Sequence, residues 1–319
     1  MPVPIAATLG ILEDNLARRG SVLPIPAASV TRWSKGLNLP RGGETVLYTG
    51  QMYQLIPYIE ELVKAEEKLG ASPLGQLAGL GRQANRLINI SALMARPSAA
   101  ELERYARIPR NVALLLQRAG VPFGSLYERD LYSGALIYDL GLDETFAQHA
   151  RRVQQVFTQT GVQRVITIDP HTTHMLRTVY PEVLGDFNIE VQSYLEVLAA
   201  LGLQPEHSLG GEVVIHDSCV FARYEDVTEP PRDLLRKAGL AVVEPEHSGK
   251  RTWCCGGPAE SLFPAKAAAN AARRVAELQG AGSRAVTMCP ICFVNLSKAS
   301  DGTLPIADIS DYLRQAFDL

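Results

Sequence analysis

The stretch RAVTMCPICFVNL, residues 284–296, has a counterpart in RVITIDPHTTHML, residues 164–176. Each begins with a short run of β-branched and apolar residues, which is typical of a buried strand. A proline then follows Cys289 in the first stretch and Asp169 in the second. Proline is favoured in the first turn of a helix. Both stretches therefore predict a strand that ends at Asp169 or Cys289 and leads directly into a helix.

Further segments repeat in the same order along the chain. ETVLYTGQ at 44–51 matches EVVIHDSC at 212–219 with an offset of 168. The motif ARRV begins at Ala150 and again at Ala272, an offset of 122. Self-similarity of this kind indicates two copies of one structural unit.

The last matching pair is VQSYL at 191–195 and ISDYL at 309–313, with an offset of 118. The fall of the offset from 168 to 122 predicts about 46 additional residues in the first copy, between Tyr58 and Pro109. We expect helices in this insertion, with a loop at residues 70–73.

Short strands that alternate with longer helices favour parallel βαβ units. The predicted fold class is therefore α/β, with two pseudo-repeated parallel βαβ units and an N-terminal helical extension. The expected divisions are an extension or docking arm at 1–43, a first unit without cysteines at 44–205 and a second unit at 206–319.

The N-terminal extension stands outside the repeat. Its segment ATLGILEDNLARRG predicts an amphipathic helix with Leu9, Leu12 and Leu16 on one face. Such a helix serves either as a docking arm or as an element that packs on its own protein, and the pattern allows both.

The bulk composition is that of an ordinary globular protein. The chain has 319 residues, of which 46% are hydrophobic and 20% charged, and a formal net charge of −3. This charge balance provides no broad positive field, so we expect no nucleic-acid partner. No apolar run approaches the length of a membrane span, and the N-terminal stretch lacks the features of a signal peptide. We therefore expect a cytoplasmic protein, either free or peripheral to a membrane complex.

Every cysteine lies in the second copy. The five are Cys219, Cys254, Cys255, Cys289 and Cys292, all within the last 101 residues. The offsets place Gln51, Tyr132, Ser133, Asp169 and Thr172 at the corresponding positions of the first copy. A set that is present together in one copy and absent together from the other indicates ligands of one shared object, whereas core cysteines would be scattered.

The cysteines also follow predicted strand ends. Cys219, the Cys254–Cys255 pair and Cys289 each come directly after a predicted strand. Because ligands gather at the carboxyl ends of parallel strands, these positions are expected to converge. The two glycines after the pair allow the backbone to approach closely behind it.

Three kinds of site could be built from these thiols. Zinc takes four ligands in a tetrahedron, and four of the five cysteines could bind it. A simple thiol redox site would use Cys289 and Cys292 and leave the other three without a role. Iron and sulfide suit a set of soft thiolates, and a larger or opened cluster can employ a fifth. The spacing favours iron–sulfur and leaves zinc and thiol chemistry as alternatives.

The order Cys219, Cys254-Cys255-Gly256 and Cys289-Pro-Ile-Cys292 resembles the CCG or cysteine-rich domain of the heterodisulfide reductase B subunit family. The resemblance covers nearly the whole chain, because family members typically carry two such domains in tandem. That family also includes the iron–sulfur subunits of glycolate and lactate oxidases.

The resemblance implies a non-cubane [4Fe-4S] cluster bound by all five cysteines. It also implies a redox subunit of a heterodisulfide-reductase-like complex that passes electrons to or from a disulfide or thiol substrate. One alternative is an electron relay in a flavin-dependent glycolate or lactate dehydrogenase. A second is a zinc-stabilised structural or assembly subunit.

The departures from the family are informative as well. The first copy has lost every ligand, so the resemblance implies no cluster there and a degenerate first domain. The chain also lacks the CxxCxxCxxxCP ferredoxin run of some relatives. We therefore expect a partner, either a ferredoxin-like iron–sulfur subunit such as the family's C subunit or a flavoprotein.

Three histidines carry weaker signals. His216, shortly before Cys219, is a candidate proton donor for disulfide cleavage, because imidazole titrates near neutral pH. The point of attack is expected near the Cys254/Cys255 edge. His171 and His174 could bind a metal with Asp169, but the pattern is more typical of a helix start that Asp169 caps.

Overall fold

The computed structural model describes residues 5–70, 95–257, 260 and 263–319. It contains two four-stranded sheets in which all the described strand pairs are parallel. We call the residues before Glu212 the first half and the rest the second half.

The two sheets have the same topology. The strands of the first sheet are β1 Thr45–Tyr48, β2 Gly124–Ser125, β3 Arg164–Thr167 and β4 Glu190–Ser193, in the order β2-β1-β3-β4. Those of the second are β5 Glu212–Ile215, β6 Ala241–Val243, β7 Ala285–Thr287 and β8 Ile306–Asp308, in the order β6-β5-β7-β8. The prediction of two pseudo-repeated parallel units is confirmed.

Helices connect the strands, as parallel pairing requires. In the first half they are α1 Ile5–Arg19, α2 Ala27–Val30, α3 Met52–Gly70, α4 Ala99–Arg118, α5 Ala135–Asp139, α6 Asp143–Thr160, α7 Pro170–His174, α8 Tyr180–Leu184 and α9 Tyr194–Ala200. In the second half they are α10 Glu229–Lys237, α11 Pro264–Ala281, α12 Pro290–Ser300 and α13 Ile309–Ala316. None of these described helices combines the length and the apolar character that crossing a membrane requires.

One sequence match is out of register. The ends of β4 and β8 correspond, and Ser193 and Asp308 at these ends are 115 residues apart, so the offset of 118 is wrong by three. Each residue caps the helix that follows, with Ser193 accepting from Leu195 and Asp308 from Ser310. The Tyr-Leu pair in both helices produced the apparent match, but the strand end and its cap set the true alignment.

The predicted insertion is only partly described. Helix α3 extends to Gly70 and α4 begins at Ala99, so both flanks are helical as expected. The predicted loop at residues 70–73 lies, beyond Gly70, outside the described residues. Ser98 is the N-cap residue of α4 and forms a reciprocal capping box with Glu101.

The N-terminal extension packs on the first half. Leu16 is fully buried, Thr145 of α6 donates a hydrogen bond to Glu13 over 3.1 Å, and Arg152 of α6 donates to the carbonyl of Ala17 over 3.4 Å. Trp33 lies in a core cluster and is 2% exposed. These contacts favour the packed-helix interpretation, and a docking role for residues 1–43 stays a prediction.

The two halves share one hydrophobic core. A single cluster of buried side chains includes Ile166 of β3 together with Val213 of β5 and Phe293 of α12. Tyr105 of α4 meets the Phe293 ring edge to face, with 6.1 Å between the centroids. The halves are therefore held by apolar burial across their boundary.

Polar contacts then align the carboxyl ends of the two sheets. Tyr53 of α3 donates to Asp308 at the end of β8 over 2.7 Å. His174, at the end of α7, lies 2.7 Å from Glu225 of the second half. Arg107 donates two hydrogen bonds to Asp311, at 2.9 and 2.7 Å. As a result, the loops that follow β3 and β7 come close together.

A buried ion pair holds the loop after β5. Arg232 of α10 donates to both carboxylate oxygens of Asp217, at 2.8 Å each, and both side chains are at least 95% buried. Arg232 also contacts Glu244 over 2.7 Å, and Asp217 accepts from the backbone of Gly249 over 2.7 Å. Asp217 thereby links the residues just before Cys219 to the segment around Gly249, which leads to the cysteine pair.

We predict that Arg232→Met lowers the free energy of unfolding by about 3–5 kcal/mol, because it leaves the buried Asp217 carboxylate without its counter-charge. Urea unfolding followed by circular dichroism measures this. The matched control is Arg236→Met on the same helix, whose ion pairs are exposed and should contribute less than about 1 kcal/mol. Equal losses from the two variants would contradict the assignment.

Candidate functional site

Each cysteine stands at an element boundary of the second half. Cys219 begins the short helical stretch that follows β5. Cys254 and Cys255 come after a 3₁₀ turn, Gly249–Arg251, and β6 already ends at Val243, so the prediction that the pair directly follows a strand is wrong. Cys289 is the N-cap residue of α12, and Cys292 lies in its first turn after Pro290. The carboxyl ends of parallel strands lie at the same edge of a sheet, which is why these positions meet.

The structure brings the sulfur atoms together. The Sγ atoms of Cys219 and Cys254 are 4.0 Å apart, and those of Cys255 and Cys292 lie within 4.8 Å of each other. A disulfide needs about 2.05 Å between sulfurs. Two thiolates on one metal ion, each at about 2.3 Å in a tetrahedral arrangement, are about 3.8 Å apart. The spacing therefore suits metal-bound thiolates, although the ligand role stays a prediction.

The set is open to solvent on one edge. Cys255, Cys289 and Cys292 are 0–3% exposed, whereas Cys219 and Cys254 are partly exposed. A substrate disulfide is expected to react at the edge formed by Cys254 and Cys255. Of these two residues, only Cys254 is accessible to solvent. The open edge is formed by Cys219 and Cys254.

The thiols shift one another's pKa values strongly. The neighbouring thiol of Cys254 and burial raise the pKa of Cys255 well above its usual range, and Cys255, Cys289 and burial do the same for the pKa of Cys292. Hydrogen bonds from Cys219 and Cys255 lower the pKa of Cys254 to about 2. Only part of the set can ionise, because like charges in a buried site repel one another. Bound cations would remove this conflict, so the donor set fits a metal centre.

The backbone behind the pair is closely packed. Gly256 has φ +84°, and a Cβ atom there would lie 2.5 Å from the carbonyl oxygen of Ala267. Its N–H donates to the Sγ atom of Cys254 over 3.3 Å. Glycine is therefore required at this position for both conformation and space.

His216 faces the sulfurs as a neutral ring. One of its nitrogens lies within 4.8 Å of the Sγ atoms of Cys255 and Cys292, and Arg274 donates to Nδ1 over 2.9 Å. Burial and the Arg274 guanidinium lower the pKa of His216 to about 3. Because an arginine always donates, the ring proton is assigned to Nε2. Nε2 is buried and has no hydrogen-bond partner within the described residues, so it is available to donate to a bound group. The proton-donor role of His216 stays a prediction.

The first half contributes a second imidazole. His171 of α7 is 7% exposed, and its Nδ1 lies 3.9 Å from the Sγ atom of Cys289. Burial opposes protonation, but the Cys289 thiol and Asp169 together raise the pKa of His171 to about 9. Hydrogen bonds from Cys292 and His171 in turn hold the pKa of Cys289 well below its usual range, against the effect of burial.

The corresponding site of the first half keeps the backbone and has other side chains. Gly134 has φ +88°, close to the +84° of its counterpart Gly256. Asp169 caps α7, as Cys289 begins α12, and each is followed by proline. Asp169 accepts from the backbone of Thr172 over 3.0 Å, which confirms the capping interpretation. His174 contacts Glu225, so His171 and His174 do not share a metal site with Asp169.

Several oxygens at this site are buried and lack hydrogen-bond partners within the described part of the chain. They include Oε1 of Gln51, Oδ1 of Asp130, Oγ of Ser133 and Oδ2 of Asp169. Burial raises the pKa of Asp130 to about 7 and that of Asp169 to about 6. Iron–sulfur clusters are held by soft thiolates, and this site offers hard oxygen donors instead.

Three residues of the site do not follow from the sequence reasoning. The sequence suggests His171 only as a metal ligand, and nothing in its own segment indicates the contact with Cys289, 118 residues away. Arg274 lies in the repeated ARRV motif, and the identity of that motif in the two copies was the available signal. Asp130, which accepts from the backbone and hydroxyl of Thr49, lies outside every repeated segment.

Comparison with known proteins places the site in a family. The family CCG, described as "Cysteine-rich domain", matches residues 213–297. This range contains all five cysteines and begins within β5.

Three relatives are similar to a large part of the chain. The "Probable iron-sulfur-binding oxidoreductase FadF" of Bacillus subtilis is 33% identical over 208 residues, covering 63% of this chain and 29% of that protein. The "EtfAB:quinone oxidoreductase" of Syntrophomonas wolfei is 29% identical over 236 residues, covering 68% of this chain and 33% of that protein. A subunit of the dihydromethanophenazine:CoB–CoM heterodisulfide reductase of Methanosarcina acetivorans is 24% identical over 211 residues, covering 62% and 52%.

These matches confirm the resemblance that the cysteine motifs predict. The chain spans about a third of the length of the first two relatives and about half of the third. Two of the relatives are named as oxidoreductases and the third is part of a reductase.

We predict that Asp130→Asn changes the pH dependence of stability. The Asp130 carboxyl titrates near 3.8 when unfolded and near 7 when folded, so the wild-type free energy of unfolding falls as pH rises from about 4 to 7. The neutral amide removes this fall, which amounts to up to about 4 kcal/mol at about 1.36 kcal/mol per pH unit.

Urea unfolding of the reduced apoprotein at pH values of about 4.5 and about 8 measures this difference. Exposed Asp186→Asn serves as the control and should follow the wild type. An Asp130→Asn variant with the wild-type pH dependence would contradict the assignment.

Proposed function

We propose that this chain, whose residues 213–297 form a cysteine-rich domain of the CCG family, is an iron–sulfur redox subunit of a heterodisulfide-reductase-like complex. The observation that carries the proposal is the meeting of five sulfur donors at one edge of the second sheet, with 4.0 Å between two of them. The names of the similar proteins, which include an iron–sulfur oxidoreductase and part of a heterodisulfide reductase, support it.

The donor set supports iron and sulfide over zinc. Zinc would use four ligands and leave one buried or half-buried thiol with strongly coupled neighbours. A non-cubane [4Fe-4S] cluster can use all five, namely Cys219, Cys254, Cys255, Cys289 and Cys292. When bound, the cluster would accept and release single electrons, which is chemistry that no side chain supplies.

The residues of this chain would hold the cluster and adjust its surroundings. Buried Cys255, Cys289 and Cys292 would keep water from three sides, and the backbone N–H of Gly256 would donate to sulfur. Neutral His216 would donate a further N–H from the second half. Such hydrogen bonds and burial set the potential of a cluster.

The open edge supports a reaction at a disulfide. A substrate disulfide could approach Cys219 and Cys254, whereas the other three cysteines are closed to solvent. Reduction breaks the S–S bond and consumes two electrons and two protons to give two thiols. One cluster delivers one electron at a time, so we propose a ferredoxin-like or flavoprotein partner as the source.

A passive electron relay is the second candidate. It is favoured by the relatives FadF and EtfAB:quinone oxidoreductase, because neither name contains a disulfide. In that case, the chain would connect a flavoprotein to another acceptor, as in a glycolate or lactate dehydrogenase. The predicted unit at 44–205 would then serve as a docking and closing surface for the cluster-binding unit at 206–319.

We also propose a reducing, cytoplasmic setting, either free or beside a membrane complex. Thiols that serve as ligands persist where disulfides do not form. The described cysteines are all unpaired with one another, which agrees with such a compartment.

We predict that anaerobically purified protein contains iron and acid-labile sulfide in the equal amounts that a [4Fe-4S] cluster requires. Each single Cys→Ala replacement should lower both contents and the visible absorption, because every thiol serves as a ligand. Ser133→Ala, at the position opposite Cys255, should keep the wild-type content. A colourless protein with one zinc and no sulfide would refute the proposal, and one dispensable cysteine would point to a four-ligand cluster.

We further predict that the holoprotein oxidises reduced methyl viologen in the presence of an aliphatic disulfide, with two viologen radicals consumed per disulfide. The measurement is the disulfide-dependent loss of viologen absorbance under argon. Cys219→Ala should show no turnover. If the intact cluster is reduced but the disulfide is left unchanged, the relay is the correct function.

A further inference from the structure

The open edge of the thiol set is surrounded by exposed basic side chains. We call Arg223, Lys250, Arg251 and Arg273 the basic collar, and all four are exposed. Arg223 is four residues beyond Cys219, and Arg251 is three residues before Cys254. Lys250 is four residues before Cys254, and Arg273 lies over the ring of Trp253, the residue directly before Cys254. The collar is thus next to the two cysteines that reach solvent among the described residues.

Direct contacts hold the collar against the segment that enters the cysteine pair. Arg223 donates to the carbonyl of Lys250 over 3.2 Å and to that of Thr252 over 2.5 Å. The Trp253 ring stacks on the imidazole of His247, with 4.0 Å between the ring centroids. The guanidinium carbon of Arg273 lies 3.4 Å from the centroid of the Trp253 ring. The positive groups are thus positioned beside Cys254 by stacking and hydrogen bonds.

Two acidic neighbours of the collar, Glu225 and Asp226, are already engaged. Glu225 is 1% exposed and accepts from Thr178, while also contacting His174. Asp226 pairs with Lys250 over 2.9 Å. Within the described residues, no carboxylate forms an ion pair with Arg223, Arg251 or Arg273. Although the chain has a net charge of −3, these three arginines therefore add positive charge beside the open edge that no ion pair among the described residues neutralises.

The same surface carries aromatic side chains. Tyr224 is 65% exposed and stacks on His174, with 5.0 Å between the ring centroids. Trp253, directly before Cys254, is partly exposed. Tyrosine, tryptophan and arginine are the residues that contribute most to protein–protein interfaces.

We propose that the basic collar, with Tyr224 and Trp253, is the docking surface for an electron-carrier protein whose own contact surface is acidic. The inference rests on the proposed function, because it assumes a cluster at the five cysteines. One electron leaves the reduced carrier and enters the cluster, and no bond forms or breaks. A protein fits this surface better than a small anion, because the charges and aromatic rings are spread over an open face.

The test uses the holoprotein and a reduced plant-type [2Fe-2S] ferredoxin as an acidic probe. Stopped-flow absorbance gives the second-order rate constant of cluster reduction at low and high ionic strength. We expect about a tenfold fall in this constant between about 20 mM and about 500 mM salt, because steering by complementary charges is screened.

The double variant Arg251→Glu with Arg273→Glu should be slower by about tenfold at low salt and should lose most of the salt dependence. Exposed Arg151→Glu, on α6 of the first half, is the matched control and should react like the wild type. Reduced methyl viologen, a cation, should reduce the clusters of all three proteins, which shows that the cluster is intact.

The outcomes separate the two proposals. A protein whose cluster viologen reduces, but whose double variant accepts electrons from ferredoxin at the wild-type rate, would overturn the docking surface alone. An equal loss from Arg151→Glu would also overturn it, and so would a double variant impaired only toward a small anionic disulfide. Absence of any reducible cluster in the wild type would instead overturn the proposed function.

Discussion

Five buried or half-buried thiols gathered at one sheet edge, with 4.0 Å between two of the sulfur atoms, cannot all ionise unless positive charge is supplied. This constraint governs the second half of the molecule. The short separation between Cys219 and Cys254 and the raised pKa values of Cys255 and Cys292 are consequences of placing sulfur at the same sheet edge. The fold supplies that edge because parallel strands end together.

The half without cysteines has the same strand order and the same backbone at the site, but its side chains there carry oxygen instead of sulfur. Its oxygen-bearing side chains are buried, and Asp169 caps a helix where the other half has Cys289. Through His171, the same helix start reaches across the boundary to Cys289. The half without cysteines is therefore a structural partner that contacts the thiol set and shares a hydrogen bond with Cys289.

Much of this arrangement could be predicted from repeated segments. The strand at 164–167, its equivalent at 285–287 and the helix starts at Pro170 and Pro290 follow from hydrophobic runs and proline position, which are local properties. The shared core around Phe293 and the His171 contact could not be predicted, because they join segments more than a hundred residues apart. The register of β8 could not be aligned correctly, since a Tyr-Leu pair matched more strongly than the strand end itself.

By itself, the sequence determined that the molecule is a pseudo-repeat, that one copy carries all five thiols and that Cys289 comes just after a strand end. These properties are encoded in residue type and spacing along the chain. Only the tertiary structure decided which edge of the thiol set is open, which histidine faces which sulfur and how the two halves meet. Burial and the distances between remote side chains arise from packing, and packing depends on all the elements at once.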